Sequence, residues 1–118
     1  HRDLNPRNIL LHEGRWKLAD FGLVSPLPES TQFSSSWAAF GTFPYMAPEQ
    51  SLDFKQVDET ADIYAFGCIL HDIFVDEQRV PLHRHSCDGP IGLVIERCTE
   101  VDPARRFKDV ASVRNALF

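Results

Sequence analysis

Asp3, Asn8 and Asp20 place oxygen-bearing side chains near the start of the sequence, within His1-Arg2-Asp3-Leu4-Asn5-Pro6-Arg7-Asn8 and Asp20-Phe21-Gly22. A carboxylate can orient a hydroxyl and take its proton, and oxygen donors from Asp and Asn suit magnesium, which favours a strict octahedron. Phosphoryl transfer needs such a carboxylate, such metal ligands and cations around the phosphates. Taken alone, Asp-Phe-Gly is usually a turn and His-Arg-Asp a solvated surface stretch. The weight lies in their order and in Gly41-Thr42 and Tyr45-Met46-Ala47-Pro48-Glu49 further on. His83, His85 and Cys87 offer softer donors, but the paired Cys-x-x-Cys or spaced helical His pair of a structural zinc site is missing. They are expected in a solvated loop.

These motifs, in this order and spacing, resemble the catalytic loop, magnesium loop and activation-segment end of the protein kinase superfamily, Ser/Thr-like in character. The resemblance runs over residues 1–118, as a partial kinase domain. It sets the catalytic loop at 1–8, the magnesium loop at 20–22, the activation segment at 20–49 and the helical lobe at 58–118. It implies ATP and Mg2+ as cofactors and protein Ser/Thr hydroxyls as acceptors. Asp3 becomes the base or orienting group, Asn8 and Asp20 the magnesium ligands, and Leu10 the residue beneath the adenine. Thr42 would contact Asp3, while His1 and Phe21 would join a stacked hydrophobic column and Gly22 would allow a sharp turn. The Asp62-Ile63-Tyr64-Ala65-Phe66-Gly67 segment resembles the central helix, whose Asp binds the catalytic-loop backbone. Arg106, rather than Arg105, is in place to pair with Glu49.

Asn5 departs from the family pattern. Ser/Thr kinases usually carry there a Lys that contacts the transferred phosphoryl group, and Asn supplies only a neutral hydrogen bond, roughly half as strong as a charged one. Arg2 before Asp3 is the family's sign of activation by loop phosphorylation, with Thr31, Ser34, Ser35 and Ser36 as candidate phosphosites. Ala38 stands at the commonest family phosphosite, so a plain polar loop is the equal alternative. Phe74 to Pro90 is far shorter than the family's substrate-docking helix requires. The Gly-rich loop, phosphate-binding Lys, its Glu partner and the hinge do not occur in the sequence. The expectation is therefore a fragment without the N-terminal lobe, inactive by itself, with that lobe as a partner. A pseudokinase or kinase-like interaction module is the alternative.

The elements that must position these residues can also be read. Ile9-Leu10-Leu11 and Trp16-Lys17-Leu18 flank a turn and predict a two-stranded ribbon, marginal unless it packs on helices. Residues 25–39 are rich in Ser, Thr and Pro and read as a long loop. A helix starting at Asp58 or Thr60 carries Ile63, Phe66, Gly67, Leu70 and Phe74 at helical steps, with Ala61, Ala65, Ile69 and Ile73 on other faces. It should be central and buried. Val75 to Gly89 reads as connection, and Ile91–Thr99 and Asp109–Leu117 as short helices about an Asp102-Pro103 turn. The fold class is α+β: a mainly helical C-terminal lobe with a small β-ribbon and a long activation segment.

Composition fits one domain or part of one. The chain has 118 residues, a hydrophobic fraction of 43% and a net charge of −5. Without a basic excess it should bind no nucleic acid, and it has no apolar run of membrane-spanning length. Cys68, Cys87 and Cys98 form an odd, scattered set that suits a reducing compartment, so a cytoplasmic location is expected.

Overall fold

The computed structural model describes residues 1–19, 43–52 and 57–118. Strands β1 (Ile9–His12) and β2 (Arg15–Leu18) pair antiparallel, with Ile9 opposite Leu18 and His12 opposite Arg15. Glu13 and Gly14 join them with φ of 51° and 70°, the positive angles of the hairpin turn that matches strand twist. The ribbon finds little cover among the described residues. Leu10, Leu11, Trp16 and Leu18 are all largely exposed.

Helix α1 (Thr60–Phe74) is the centre of the fold. Both proposed cap residues take part in its start: the Asp58 carboxylate accepts from the backbone N–H (2.9 Å) and hydroxyl (2.5 Å) of Thr60. This satisfies a helix-end donor that has no intrahelical partner. Ile63 and Leu70 pack with Val94, Ile95 and Cys98 of α2 (Pro90–Cys98) and Val113 of α3 (Val110–Leu117), closed by Phe107. On another face, Ala61, Tyr64 and Cys68 pack with Ala47 and Val57. The last turn departs from the expectation of all-round burial. Ile73 and Phe74 are exposed, because among the described residues no helix follows between α1 and α2 to cover them.

Gly67 sets the distance between α1 and α2. A Cβ built there would lie 2.5 Å from Cys98 Cβ and 2.8 Å from Thr99 Cγ2, so only hydrogen fits. Asp102 caps a short 3-10 turn, Pro103–Arg105, by accepting from Ala104 N (3.0 Å). Asp109 caps α3 by accepting from Ser112 N (2.7 Å). The Ser-rich stretch at 25–39 lies outside the described residues.

The loop carrying His83, His85 and Cys87 is not simply solvated. His83 is exposed and Cys87 half-buried, but His85 is buried, its ring centroid 5.2 Å from that of His71. Thr99 draws it in: the Thr99 hydroxyl accepts from His85 N (2.8 Å) and donates to Ile95 O (2.9 Å). Loss of hydration holds the His85 imidazole down at about 4 and also lowers that of His71.

Candidate active site

The first eight residues form a tight, internally bonded loop. Asn5 caps a 3-10 turn, Pro6–Asn8, its Oδ1 accepting from Arg7 N (3.0 Å). Pro6 fits the first position of that turn, where no backbone donor is needed. The remaining polar atoms converge on Asp3, which is buried. Asn5 Nδ2 donates to Asp3 O (3.0 Å) and Oδ1 (3.1 Å), and Asn8 Nδ2 donates to Asp3 O (2.9 Å) and Oδ2 (3.0 Å). Both carboxylate oxygens are therefore held by neutral amides, each retaining a lone pair for a further donor.

The loop is anchored to the fold through its backbone. Asp62, in the first turn of α1, accepts from His1 N (2.7 Å) and Arg2 N (2.9 Å). Arg2 has a φ of 67°, a left-handed conformation that costs a non-glycine residue about 1–2 kcal/mol. Asp62 grips one side of that strained residue, and Gln50 Nε2 donates to its carbonyl on the other (2.9 Å). The Arg2 guanidinium also donates to Val57 O (3.3 Å). On the ribbon side, His1 Nε2 lies 2.9 Å from Ala19 O, and Ala19 N donates to Asn8 O (2.8 Å). The residue preceding Asp20 is thus tied to the turn that carries Asn8.

Gln50 was not singled out by any motif, yet it joins two segments. Its Oε1 accepts from Ala47 N (2.9 Å) while its Nε2 reaches Arg2. Gln50 is buried, and no local sequence pattern announces its pairing with Arg2. Glu49 and Arg106 form a second anchor, with Nη1–Oε1 at 2.6 Å and Nη2–Oε2 at 2.7 Å. Arg106 also donates to the carbonyls of Glu100, Thr60 and Val101 and lies over the Tyr64 ring at 5.0 Å. Its side chain is 0% exposed, so a buried cation has every donor used. Arg105 is exposed.

Asp3, Asn5 and Asn8 are thus brought together, with His1, Arg2 and Asp62 behind them. Leu10 sits apart on the open ribbon, 50% exposed. Asp20, Phe21, Gly22, Thr31, Ser34, Ser35, Ser36 and Thr42 lie outside the described residues. Among the described residues no group of His, Cys, Asp and Glu converges as a metal cage. The Asn8 nitrogen is committed to Asp3, which leaves its amide oxygen as the donor suited to a hard cation.

A protein-family model for the protein kinase domain matches residues 1–91. The chain belongs to the protein kinase family. Relatives include the serine/threonine-protein kinase PknB of Mycolicibacterium smegmatis, 31% identical over 99% of this chain and 18% of its own length. The dual specificity protein kinase shkC of Dictyostelium discoideum is 30% identical over 95% of this chain and 26% of its own length. The receptor-like kinase TMK4 of Arabidopsis thaliana is 46% identical over 62% of this chain and 8% of its own length. The chain therefore spans about a fifth of the length of the first two relatives. The two-stranded antiparallel sheet and three α-helices of the described residues are compatible with part of a kinase fold. No helix among the described residues is long and apolar enough to cross a membrane.

Proposed function

We propose that this chain is the C-terminal part of an ATP-dependent protein kinase domain that transfers phosphate to Ser and Thr hydroxyls of proteins. The observation that carries the reading is the Asp3 carboxylate, buried and held on both oxygens by Asn5 and Asn8. Such a group is fixed before substrate arrives, and positioning supplies much of the rate of a phosphoryl transfer. Asp3 accepts the hydrogen of the attacking hydroxyl and orients its oxygen. Asn8, through its amide oxygen, and Asp20 are the residues that would hold magnesium, and Leu10 would lie against the adenine. Bound ATP with magnesium supplies the transferable phosphoryl group and neutralises its charge. Thr42 would contact Asp3, and Thr31, Ser34, Ser35 and Ser36 are the candidate regulatory phosphosites. The serine/threonine naming of the PknB relatives supports the acceptor class. The missing nucleotide-binding lobe, from the same longer chain, and protein substrates are the partners, and the cytoplasm is the proposed location.

Asn5 favours a second reading, a pseudokinase or kinase-like interaction module. Its amide nitrogen is spent on Asp3 and its oxygen on Arg7 N, so it brings no charge to a phosphoryl group. The test compares the longer protein carrying this chain with its Asp3→Asn and Asp20→Ala variants, using radiolabelled ATP and Ser/Thr peptides. The enzyme reading expects transfer by the parent and its loss in both variants. Retained transfer in the variants refutes the roles given to Asp3 and Asp20, and an inert parent with an intact nucleotide lobe decides for the module. The 118-residue chain alone is expected to transfer hardly any phosphate, and robust transfer by it would overturn the fragment assignment.

A further inference from the structure

The connection from Val75 to Gly89 carries one side chain that reaches back to the wall beside Asp3. Arg79 Nε donates to Asp72 Oδ1 at 2.6 Å and Nη2 to Asp72 Oδ2 at 2.9 Å, a two-pronged pair on the last turns of α1. Its Nη1 donates to Pro44 O (2.5 Å), and its guanidinium lies 4.7 Å from the Tyr45 ring centroid. Tyr45 closes the set by donating its hydroxyl to Asp72 Oδ2 (2.8 Å). The Arg79 side chain is 6% exposed while that of Asp72 is 35% exposed, so the pair is only partly shielded from water and salt. The Asp72 carboxyl is held below its ordinary range by the Arg79 and Tyr45 hydrogen bonds, against the opposing effect of burial.

The clamped turn, Phe43–Tyr45, lies next to the catalytic loop. Tyr45 and Met46 line one small cavity with Arg2, Asp3 and Leu4, and Gln50 binds the Arg2 carbonyl. Phe43 and Pro44 face outward from this wall. Because Tyr45 and Met46 share that cavity with Asp3, a peptide presenting a hydroxyl to Asp3 would lie near this turn. Among the described residues no helix between α1 and α2 supports the turn, and Arg79 braces it through Asp72, Tyr45 and Pro44.

We propose that Arg79 is a positioning residue for the protein substrate, fixing the Phe43–Tyr45 turn relative to Asp3 by gripping Asp72, Tyr45 and the Pro44 carbonyl at once. The proposal rests on the kinase reading for its consequence in turnover, but the brace can be tested without it. Lys replaces the charge of Arg but not the planar fork. Arg79→Ala, Arg79→Lys and Tyr45→Phe are compared with wild type in the longer protein, by peptide phosphorylation and by amide hydrogen exchange.

For Arg79→Ala, kcat/KM for a Ser/Thr peptide should fall about tenfold or more while the KM for ATP stays within about twofold. Exchange at the Met46 and Ala47 amides should speed up about tenfold, with α3 unchanged. Arg79→Lys should recover part of both effects, and Tyr45→Phe should show a smaller loss. Unaltered exchange at 46–47 in Arg79→Ala overturns the brace. Faster exchange with unaltered peptide kinetics, or equal losses for peptide and ATP, overturns the positioning role. A wild-type protein that transfers no phosphate refutes the kinase reading and with it the role in turnover, while the exchange data still decide the brace.

Discussion

Arg106 and His85 are buried groups with opposite fates on losing solvent. Around Arg106, Glu49 and three backbone carbonyls take the place of water. Removing one partner of such a pair is costly because the other charge stays behind, dry and unmatched. Glu49→Ala is therefore expected to lower unfolding free energy by about 3–5 kcal/mol, against about 0.5 kcal/mol or less for Arg105→Ala. Urea unfolding of the two variants checks the contrast. Among the described residues His85 has no ion-pair partner and its Nε2 has no hydrogen-bond partner, so burial favours its neutral form. Its folded value of about 4 lies below its ordinary 6.5. A depressed imidazole contributes stability that is complete above pH 6.5 and is lost as pH falls toward 4. The shift of His71 acts in the same direction, whereas Asp58 and Asp72 lie below 3.8 and titrate in a lower window. Lowering the pH from 6.5 to 4 should cost on the order of 1–2 kcal/mol after allowance for solvent screening. His85→Phe should remove part of that slope, and an unchanged slope would exclude His85 as its source.

At the scale of elements, the critical contact is the crossing of α1 and α2 at Gly67. A methyl group at Gly67 would overlap Cys98 and Thr99, and Thr99 is also the residue that fixes His85. Gly67→Ala would ordinarily favour a helix by about 1 kcal/mol. Here the overlap should reverse the sign, for a net loss of about 1–3 kcal/mol, measured as a lower thermal midpoint. The same elements show what the sequence could reveal. Periodicity located α1, and Asp102 and Asp109 announced the turns they cap, because caps and apolar spacing are local signals. The Asp3–Asn5–Asn8 cluster was legible as residues, though the grip of Asn5 on Asp3 was not, since its position suggested only a lost cation. Arg79, Gln50 and the burial of His85 were invisible for a different reason. Each depends on a partner distant in sequence, such as Pro44, Arg2 or Thr99, and no local pattern encodes that pairing. The exposed last turn of α1 was missed because an apolar helix reads as buried whether or not a neighbour exists to cover it.

At the scale of the whole molecule, the described elements leave an apolar face uncovered. A groove of about 390 Å³ runs between the loop of residues 1–8, the ribbon and α3, lined by residues that include Leu4, Ile9, Leu18, Phe66, Val110 and Leu117. Its floor is the side of α1 adjacent to Ile63, so among the described residues the central helix is covered on two sides and open on a third. Asp62, which holds the backbone of His1 and Arg2, lies at the edge of the same groove. Covering the groove would therefore shield the anchor of the loop at residues 1–8 as well as apolar surface. Apolar surface of this extent favours association or dye binding in water. The 118-residue chain alone should enhance the fluorescence of an anilinonaphthalene dye while its near-ultraviolet dichroism still reports fixed tertiary packing. Phe66→Gln and Leu117→Gln together should reduce the dye signal by about half or more, because they remove apolar lining without touching the Glu49–Arg106 anchor. If the dye signal is unchanged in the double variant, the exposed surface lies elsewhere. If near-ultraviolet dichroism is already absent in the wild-type chain, the dye is reporting loss of packing throughout, and the groove has no separate existence in the isolated chain.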